Sequence, residues 1–216
     1  MVPAENPQFG SIVLFFNEAQ ITRNGIFNTH NSHVWNDENP HARHVRGHQQ
    51  RFSVNIWAGI VGDSLIGPFV LPPNLNGNAY FNFLHDNLTD LLEDVPLILR
   101  NRIWYQHDGA PAHFSQAVRG YLDETYPGRW IGRGGPVSWP PRSPDLTSLD
   151  YFLWGYLKSH VYYTPVETVE ELTAKIFEAC ELVQNTPGIF ERVRQNMVRR
   201  CNACIEVEGR HFEHLL

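Results

Sequence analysis

His107-Asp108-Gly109-Ala110-Pro111-Ala112-His113 follows directly on Arg102 to Gln106 (RIWYQ), a short run of strand-forming residues. Asp108 therefore stands just past a strand end. A second stretch, Ser143-Pro144-Asp145-Leu146-Thr147-Ser148-Leu149-Asp150-Tyr151, puts Asp150 in the first turn of a helix predicted from Leu149 to about Val161, with Ser148 as its N-cap. A third junction is Asn17-Glu18, at the end of the apolar opening strand Ser11 to Phe16 (SIVLFF). Taken singly, Asp108-Gly109 is a common turn dipeptide and Asp150 can complement a helix dipole. Taken together, carboxylates gathered at such junctions can hold two Mg²⁺ ions about 3.5–4 Å apart, one activating water and one stabilising the leaving oxygen. Mg²⁺ prefers hard oxygen ligands, so Asp is the right residue type.

Working outward, Arg51 to Val61 and Ser64 to Leu71 read as two strands joined by a Gly62-Asp63 turn. Asn76 to Glu93 carries apolar residues at helical spacing, and Pro96 closes it. Ser115 to Tyr126 is a predicted helix with Ala117, Val118, Tyr121 and Leu122 inward, stopped by Pro127-Gly128. Trp130 to Trp139 allows one more short strand. Thr168 to Val183 and Ile189 to Ile205 are two amphipathic helices separated by Asn185 to Gly188. A strand meander followed by helices predicts an α/β domain with a mixed sheet flanked by helices, in the order of the ribonuclease H-like arrangement. Residues 1–163 would form that domain and 164–216 a C-terminal helical extension packed on it.

The chain has 216 residues, enough for one large domain at ~150 residues per domain. Its 42% hydrophobic and 19% charged residues are a globular composition. No apolar run approaches the ~18 residues that span a bilayer, so no membrane partner is expected. The first ten residues lack the pattern of a secretory signal, and three Cys point to a reducing compartment. The net charge is 17 − 23 = −6, which does not draw the whole chain to nucleic acid. Local patches must do so. His41 to Arg51 carries Arg43, Arg46 and Arg51 without an acid, and Arg129 to Arg142 carries three Arg and two Trp, again without one.

HDGAPAH (107–113) followed by WPPRSPDLTSLDYFLWG (139–155) resembles the catalytic domain of mariner-type DNA transposases. Asn76-Gly77-x-x-Tyr80-x-x-x-Leu84 and Gly209-Arg210-His211-Phe212-Glu213-His214 extend the resemblance through nearly the whole chain. It implies a ribonuclease H-like fold with a three-carboxylate site, metal-dependent DNA cleavage and strand transfer, and Mg²⁺ or Mn²⁺ as the pair of ions. It assigns Asp108 as the second metal ligand and Asp150 as the third, with 150 − 108 = 42 positions between them, a longer-spaced branch. Asp145 competes for the third role, but its Ser-Pro-Asp-Leu turn suits a structural, capping task. The first position departs from the family pattern, which writes Asp-Glu where this chain has Asn17-Glu18. An Asn carbonyl can touch a metal but brings no charge, so catalysis should be weak or absent. Alternation along a strand would aim Glu18 away from Asp108.

The same resemblance implies DNA as partner, both transposon ends and target, and hence a nuclear location. Family members carry two helix-turn-helix units ahead of the catalytic domain, and the first strand here starts within about a dozen residues of Met1, so that reader is expected to be absent. The 21–50 segment falls where relatives clasp a second subunit, which makes it a candidate homodimer contact. Arg43, Arg46, Trp139 and Arg142 are candidate DNA contacts. Two other classes stand beside the enzyme: a catalytically inactive DNA-binding or dimerisation domain, and a zinc-dependent interaction module. For the latter, Cys201-x-x-Cys204 with His211-x-x-His214 falls short of the usual zinc spacing, and the period brings Met197, Cys201, Cys204 and Ile205 to one apolar helix face, so zinc is not expected.

Overall fold

The computed structural model describes residues 8–23, 52–141 and 143–216. Arg43, Arg46, Arg142 and most of the 21–50 segment lie outside the described residues. Five strands form one mixed sheet: β1 (Val13–Thr22), β2 (Ser53–Val61), β3 (Ser64–Leu71), β4 (Trp104–Gln106) and β5 (Trp130–Ile131), in the order β3-β2-β1-β4-β5. The β1–β2 and β2–β3 pairs are antiparallel, and the β1–β4 and β4–β5 pairs are parallel. Helices flank this sheet, as the element order predicted.

β1 is longer than its apolar run. It continues through Asn17-Glu18-Ala19-Gln20 because β2 pairs with it as far as Thr22↔Ser53, and Ile21 re-enters the core. Asn17 and Glu18 are thus mid-strand relative to β2, a correction to the expectation that the strand ends there. Relative to β4 they lie beyond the end, since the last parallel pair is Phe15↔Gln106.

One face of the sheet is covered by α1 (Gly77–Asp86) and α4 (Gln116–Thr125). The single helix expected over 76–93 breaks at Asn87 into α1 and a short α2 (Leu88–Leu91), because the Asn87 N–H closes α1 on the Phe83 carbonyl. Another turn, α3 (Leu97–Arg100), precedes the predicted strand run Arg102 to Gln106, of which Trp104–Gln106 forms β4. In α4, Val118 and Leu122 are buried, but Ala117 is exposed, contrary to the sequence expectation. On the other face are α5 (Trp154–Val161) and α6 (Val169–Gln184), with α7 (Ile189–Glu206) following. Leu172, Ile176, Val183 and Phe190 from α6 and α7 belong to the same buried cluster as the strands.

Asp150 does not sit in an α-helical first turn. Leu149–Leu153 is a π-helical turn that runs into α5. Ser148 already has helical dihedrals, and its hydroxyl is buried without a partner, so it is no N-cap; Asp150 N–H is held by the Thr147 carbonyl instead. π-turns tend to occur at functional sites.

The Asn76 motif has a packing explanation. Asn76 accepts from Ala79 N–H and caps α1, Tyr80 and Leu84 are fully buried, and Gly77 brings α1 against the start of α4. A Cβ on Gly77 would lie 2.6 Å from the Ser115 Cβ, closer than side chains pack. Gly120, exposed on α4, has nothing within 4 Å of that position. Gly77→Ala is expected to destabilise the fold by ~1–3 kcal/mol, and Gly120→Ala to stabilise it by ~0.5–1 kcal/mol. Urea denaturation of the two variants checks both signs.

Candidate functional site

The parallel register of β1 and β4 builds the site. Asn17 and Asp108 each stand two residues beyond the pair Phe15↔Gln106, so they emerge side by side at the same end of adjacent strands. That position, at the carboxyl end of a strand where the order turns, is where open α/β sheets bind ligands. The π-turn brings Asp150 against Asn17 from the α5 side of the sheet. Asn17, Asp108 and Asp150 all line one cavity of about 370 Å³, closed by Trp139, Pro140, Pro141 and Thr147. Asp145 is not among the lining residues; its backbone carbonyl accepts from Arg200.

Each carboxylate is tied by one oxygen. Asp108 Oδ1 accepts from Ala110 N–H at 2.9 Å and from His113 Nδ1–H at 2.6 Å. Among the described residues its other oxygen has no hydrogen-bond partner. On the far side of the imidazole, His113 Nε2 lies 3.3 Å from the Glu18 carboxylate. Glu18 does occupy the strand face opposite Asn17, as alternation requires. It is nevertheless joined to Asp108 through His113, a link the sequence expectation missed. Burial disfavours a charged imidazole here. The charge of Glu18 and the hydrogen bond to Asp108 outweigh that and push the His113 pKa up to about 10. His107, stacked on His113 at 5.2 Å, is driven down to about 3 by burial and by the His113 charge. At neutral pH the stack therefore holds one charged and one neutral ring. Burial also raises the Asp108 carboxyl, but His113 more than compensates and its pKa is lowered.

Asp150 Oδ2 accepts from Asn17 Nδ2–H at 2.8 Å, while Asn17 Oδ1 accepts from the Glu18 N–H. The reversed amide would set oxygen against carboxylate oxygen. Asn17 thus presents a donor, not an oxygen, to the third carboxylate. Burial raises the Asp150 pKa to about 6, with contributions from the negative charges of Asp108, Asp145 and Glu18 that the Asn17 hydrogen bond only partly offsets. Two carboxylates that repel each other in one cavity, each with an oxygen free of hydrogen bonds among the described residues, suit a hard divalent cation. The fit is to two anionic donors, with the third supplied only if the Asn17 amide turns.

Trp139 lines the cavity and also packs on a small cluster with Leu146, Ala203 and Phe212. Cys201 and Cys204 pack on that same cluster, whereas Ile205, expected on the same apolar face, is 73% exposed. His211 and His214 face each other with ring centroids 5.8 Å apart. A larger cavity of about 540 Å³, between Phe15, Tyr151 and α7, has its one arginine, Arg194, paired to Asp63.

A basic feature that the sequence reading passed over lies beside Asp108. Arg119 and Arg133 both set their guanidinium groups on the Phe114 ring, at 4.5 and 4.2 Å from its centroid. Neither has a carboxylate partner among the described residues. Arg133 also packs alongside Gly109, which lines the cavity; a Cβ added there would lie 3.7 Å from it. The signal was present in Arg129 to Arg142, but Phe114 and Arg119 come from a different segment.

The raised Asp150 pKa makes this carboxylate a destabilising charge in the metal-free protein. A folded-state value of about 6 against an ordinary 3.8 means that folded-state stability falls as pH rises through that window. Asp150→Asn, which keeps an oxygen to accept from Asn17, is therefore expected to raise the melting temperature at pH 7.5 in chelator. The gain should vanish near pH 4. Thermal melts of both forms at the two pH values check this.

No protein-family model matches the sequence, and no curated protein aligns with it significantly. Solved structures do match. The catalytic domain of Mos1 mariner transposase superposes with a TM-score of 0.68 at 19% identity, covering 95% of this chain and 86% of that one. The Mos1 transposase paired-end complex with the left transposon end gives 0.72 at 20% identity. The mariner Mos1 paired-end complex with Mg gives 0.75 at 19% identity. This chain spans 57% of the protein in the former complex and 56% in the latter. The chain has the ribonuclease H-like fold of the mariner transposase catalytic domain.

Proposed function

We propose that the chain is a catalytic domain of the mariner-type cut-and-paste DNA transposases, with its chemistry impaired at Asn17. The observation that carries this reading is the convergence of residues 17, 108 and 150 in one cavity of a fold shared with that domain. Neighbouring structures are described as complexes with a transposon end and with Mn or Mg. Asp108 and Asp150 would hold divalent ions. When bound, such ions supply an activated water or 3′-hydroxyl and stabilise the leaving oxygen of a phosphodiester. The chain's own residues orient the two carboxylates, and Trp139 and the neighbouring prolines wall the cavity. Its location would be nuclear, following the substrate, and pairing with a second copy would involve the 21–50 segment.

Asn17 removes one negative charge where the family places Asp, and it occupies one oxygen of Asp150 with a hydrogen bond. That contact also favours a second reading, a catalytically lapsed domain kept for DNA binding or dimerisation. Asn17→Asp restores the third carboxylate. The substituted form is expected to nick DNA carrying the element's own ends in Mn²⁺ at least ~10-fold faster than the unsubstituted chain, and Asp108→Asn in that background to abolish the gain. Equal rates in all forms would leave the lapsed-domain reading.

The Arg119–Phe114–Arg133 clamp offers two guanidinium groups beside the cavity without a carboxylate partner among the described residues, suited to backbone phosphates. Double substitution of both arginines by Ala is expected to weaken duplex binding and to reduce the slope of log K against log salt by about 2. Fluorescence anisotropy across a salt series measures both, with the exposed Arg192→Ala as the control that leaves the slope alone.

A further inference from the structure

We infer that His113, braced by Glu18, is the positioning residue that fixes the Asp108 carboxylate, so that one oxygen is tied back and the other is presented to the cavity. The inference rests on the metal-site reading of that cavity and deepens it. The geometry is specific. The His113 ring is almost fully buried, with 2% of its side chain exposed, whereas 49% of the Asp108 side chain is exposed. A half-exposed carboxylate at a strand tip would rotate freely unless something held it. Two donors, Ala110 N–H and His113 Nδ1–H, converge on the same oxygen, Oδ1. The imidazole is itself held on every side: the Tyr80 ring lies 4.4 Å away, His107 5.2 Å and Phe16 6.0 Å between centroids. Glu18 Oε1 and Oε2 meet Nε2 from behind. The chain Glu18–His113–Asp108 therefore runs from the buried α1/α4 face of the sheet to the open cavity. A carboxylate or amide oxygen behind a ligand-bearing group is how proteins commonly orient first ligands, and loss of such a partner costs ~10–100-fold in metal affinity. Here the order is inverted: the carboxylate is the ligand, and the imidazole is the brace.

Two near-isosteric substitutions separate positioning from mere packing. An Asn side chain places its amide nitrogen near the imidazole Nδ1, and Gln places it near Nε2. His113→Asn keeps the bond to Asp108, and His113→Gln keeps the contact with Glu18 and loses Asp108. The full chain, as it stands and with Asn17→Asp, is titrated with Mn²⁺ alone by electron paramagnetic resonance, with thermal melts alongside. The expected result is that His113→Gln weakens Mn²⁺ binding ~10–100-fold while His113→Asn stays within about three-fold of its parent. Glu18→Ala, which frees the ring without touching Asp108, should weaken Mn²⁺ several-fold and serves if His113→Gln does not fold. Ile176→Val trims the buried core on α6, away from His113, and should lower the melting temperature without moving the Mn²⁺ affinity. A folded His113→Gln with its parent's affinity overturns the positioning role and leaves the metal site standing. A parent that binds no Mn²⁺ even with Asp at position 17 overturns the metal site and this inference with it.

Discussion

The parallel pairing of β1 with β4 is the constraint on which the site depends. Only three residue pairs hold it, Val13↔Trp104, Leu14↔Tyr105 and Phe15↔Gln106. They join segments about ninety positions apart and fix their register. A parallel register places residues equally distant from the last pair next to each other, which is why Asn17 and Asp108 meet. A one-residue slip would turn Asp108 toward the α1/α4 core and His107 toward the cavity, since side chains alternate. The pairing is guarded accordingly. Leu14 and Tyr105 are fully buried at its centre, Phe16 packs at a tilt on Tyr105 just past it, and Tyr105 shares a hydroxyl hydrogen bond with Tyr80. A slip would leave those hydroxyls buried without partners, a cost that a three-pair ladder alone does not impose.

Given that frame, the two faces of the sheet divide the work. The α5 face supplies Asp150 to Asn17, and the α1/α4 face supplies His113 to Asp108. Each carboxylate thus has one hydrogen-bonded anchor from its own layer, and the free oxygens are left to the gap between the layers. The π-turn at Leu149–Leu153 contributes here as well. An added residue in a turn rotates the side chains after it, so the apolar stripe of α5 can stay on the core while Asp150 turns to Asn17.

Much of this was legible in the sequence, and the failures have physical causes. The hairpin and the breaks at Pro127-Gly128 and Asn185 to Gly188 follow from turn chemistry and period, which are local. That Asp108 and Asp150 come to one cavity was legible because their motifs are long. β1 was cut short because Asn17, Glu18 and Gln20 are polar, and a strand whose polar residues face a site looks from its sequence like the start of a loop. Ser148 matched a cap pattern, yet the backbone was already helical one residue earlier. Alternation placed Glu18 correctly on the far face. It could not show that His113, 95 positions later, returns to bridge that face to Asp108. The Arg119–Phe114–Arg133 cluster was hidden for the same reason: it is assembled from the α4 lead-in and the loop after β5, and neither half signals it alone.

On the function proposed above, position 17 would set function against stability in this cavity. With Asp there, three carboxylates would face one gap, and the metal-free fold would carry their mutual repulsion. Asn17 exchanges that repulsion for a 2.8 Å hydrogen bond to Asp150, so the metal-free chain is relieved at the place where a cation would otherwise supply the relief. A ligand stabilises a fold in proportion to its preference for the folded state, and a site whose repulsion is partly relieved internally has less to gain from the ion. His113 is different, because its hydrogen bond occupies the Asp108 oxygen that points back into the protein and leaves the cavity side open. The amide at 17 presents a donor to the cavity where a third carboxylate would add charge, whereas the imidazole at 113 holds Asp108 from behind. The support behind Asp108 is built into the core packing of Phe16, Tyr80 and His107, so it could not be lost without loosening the fold.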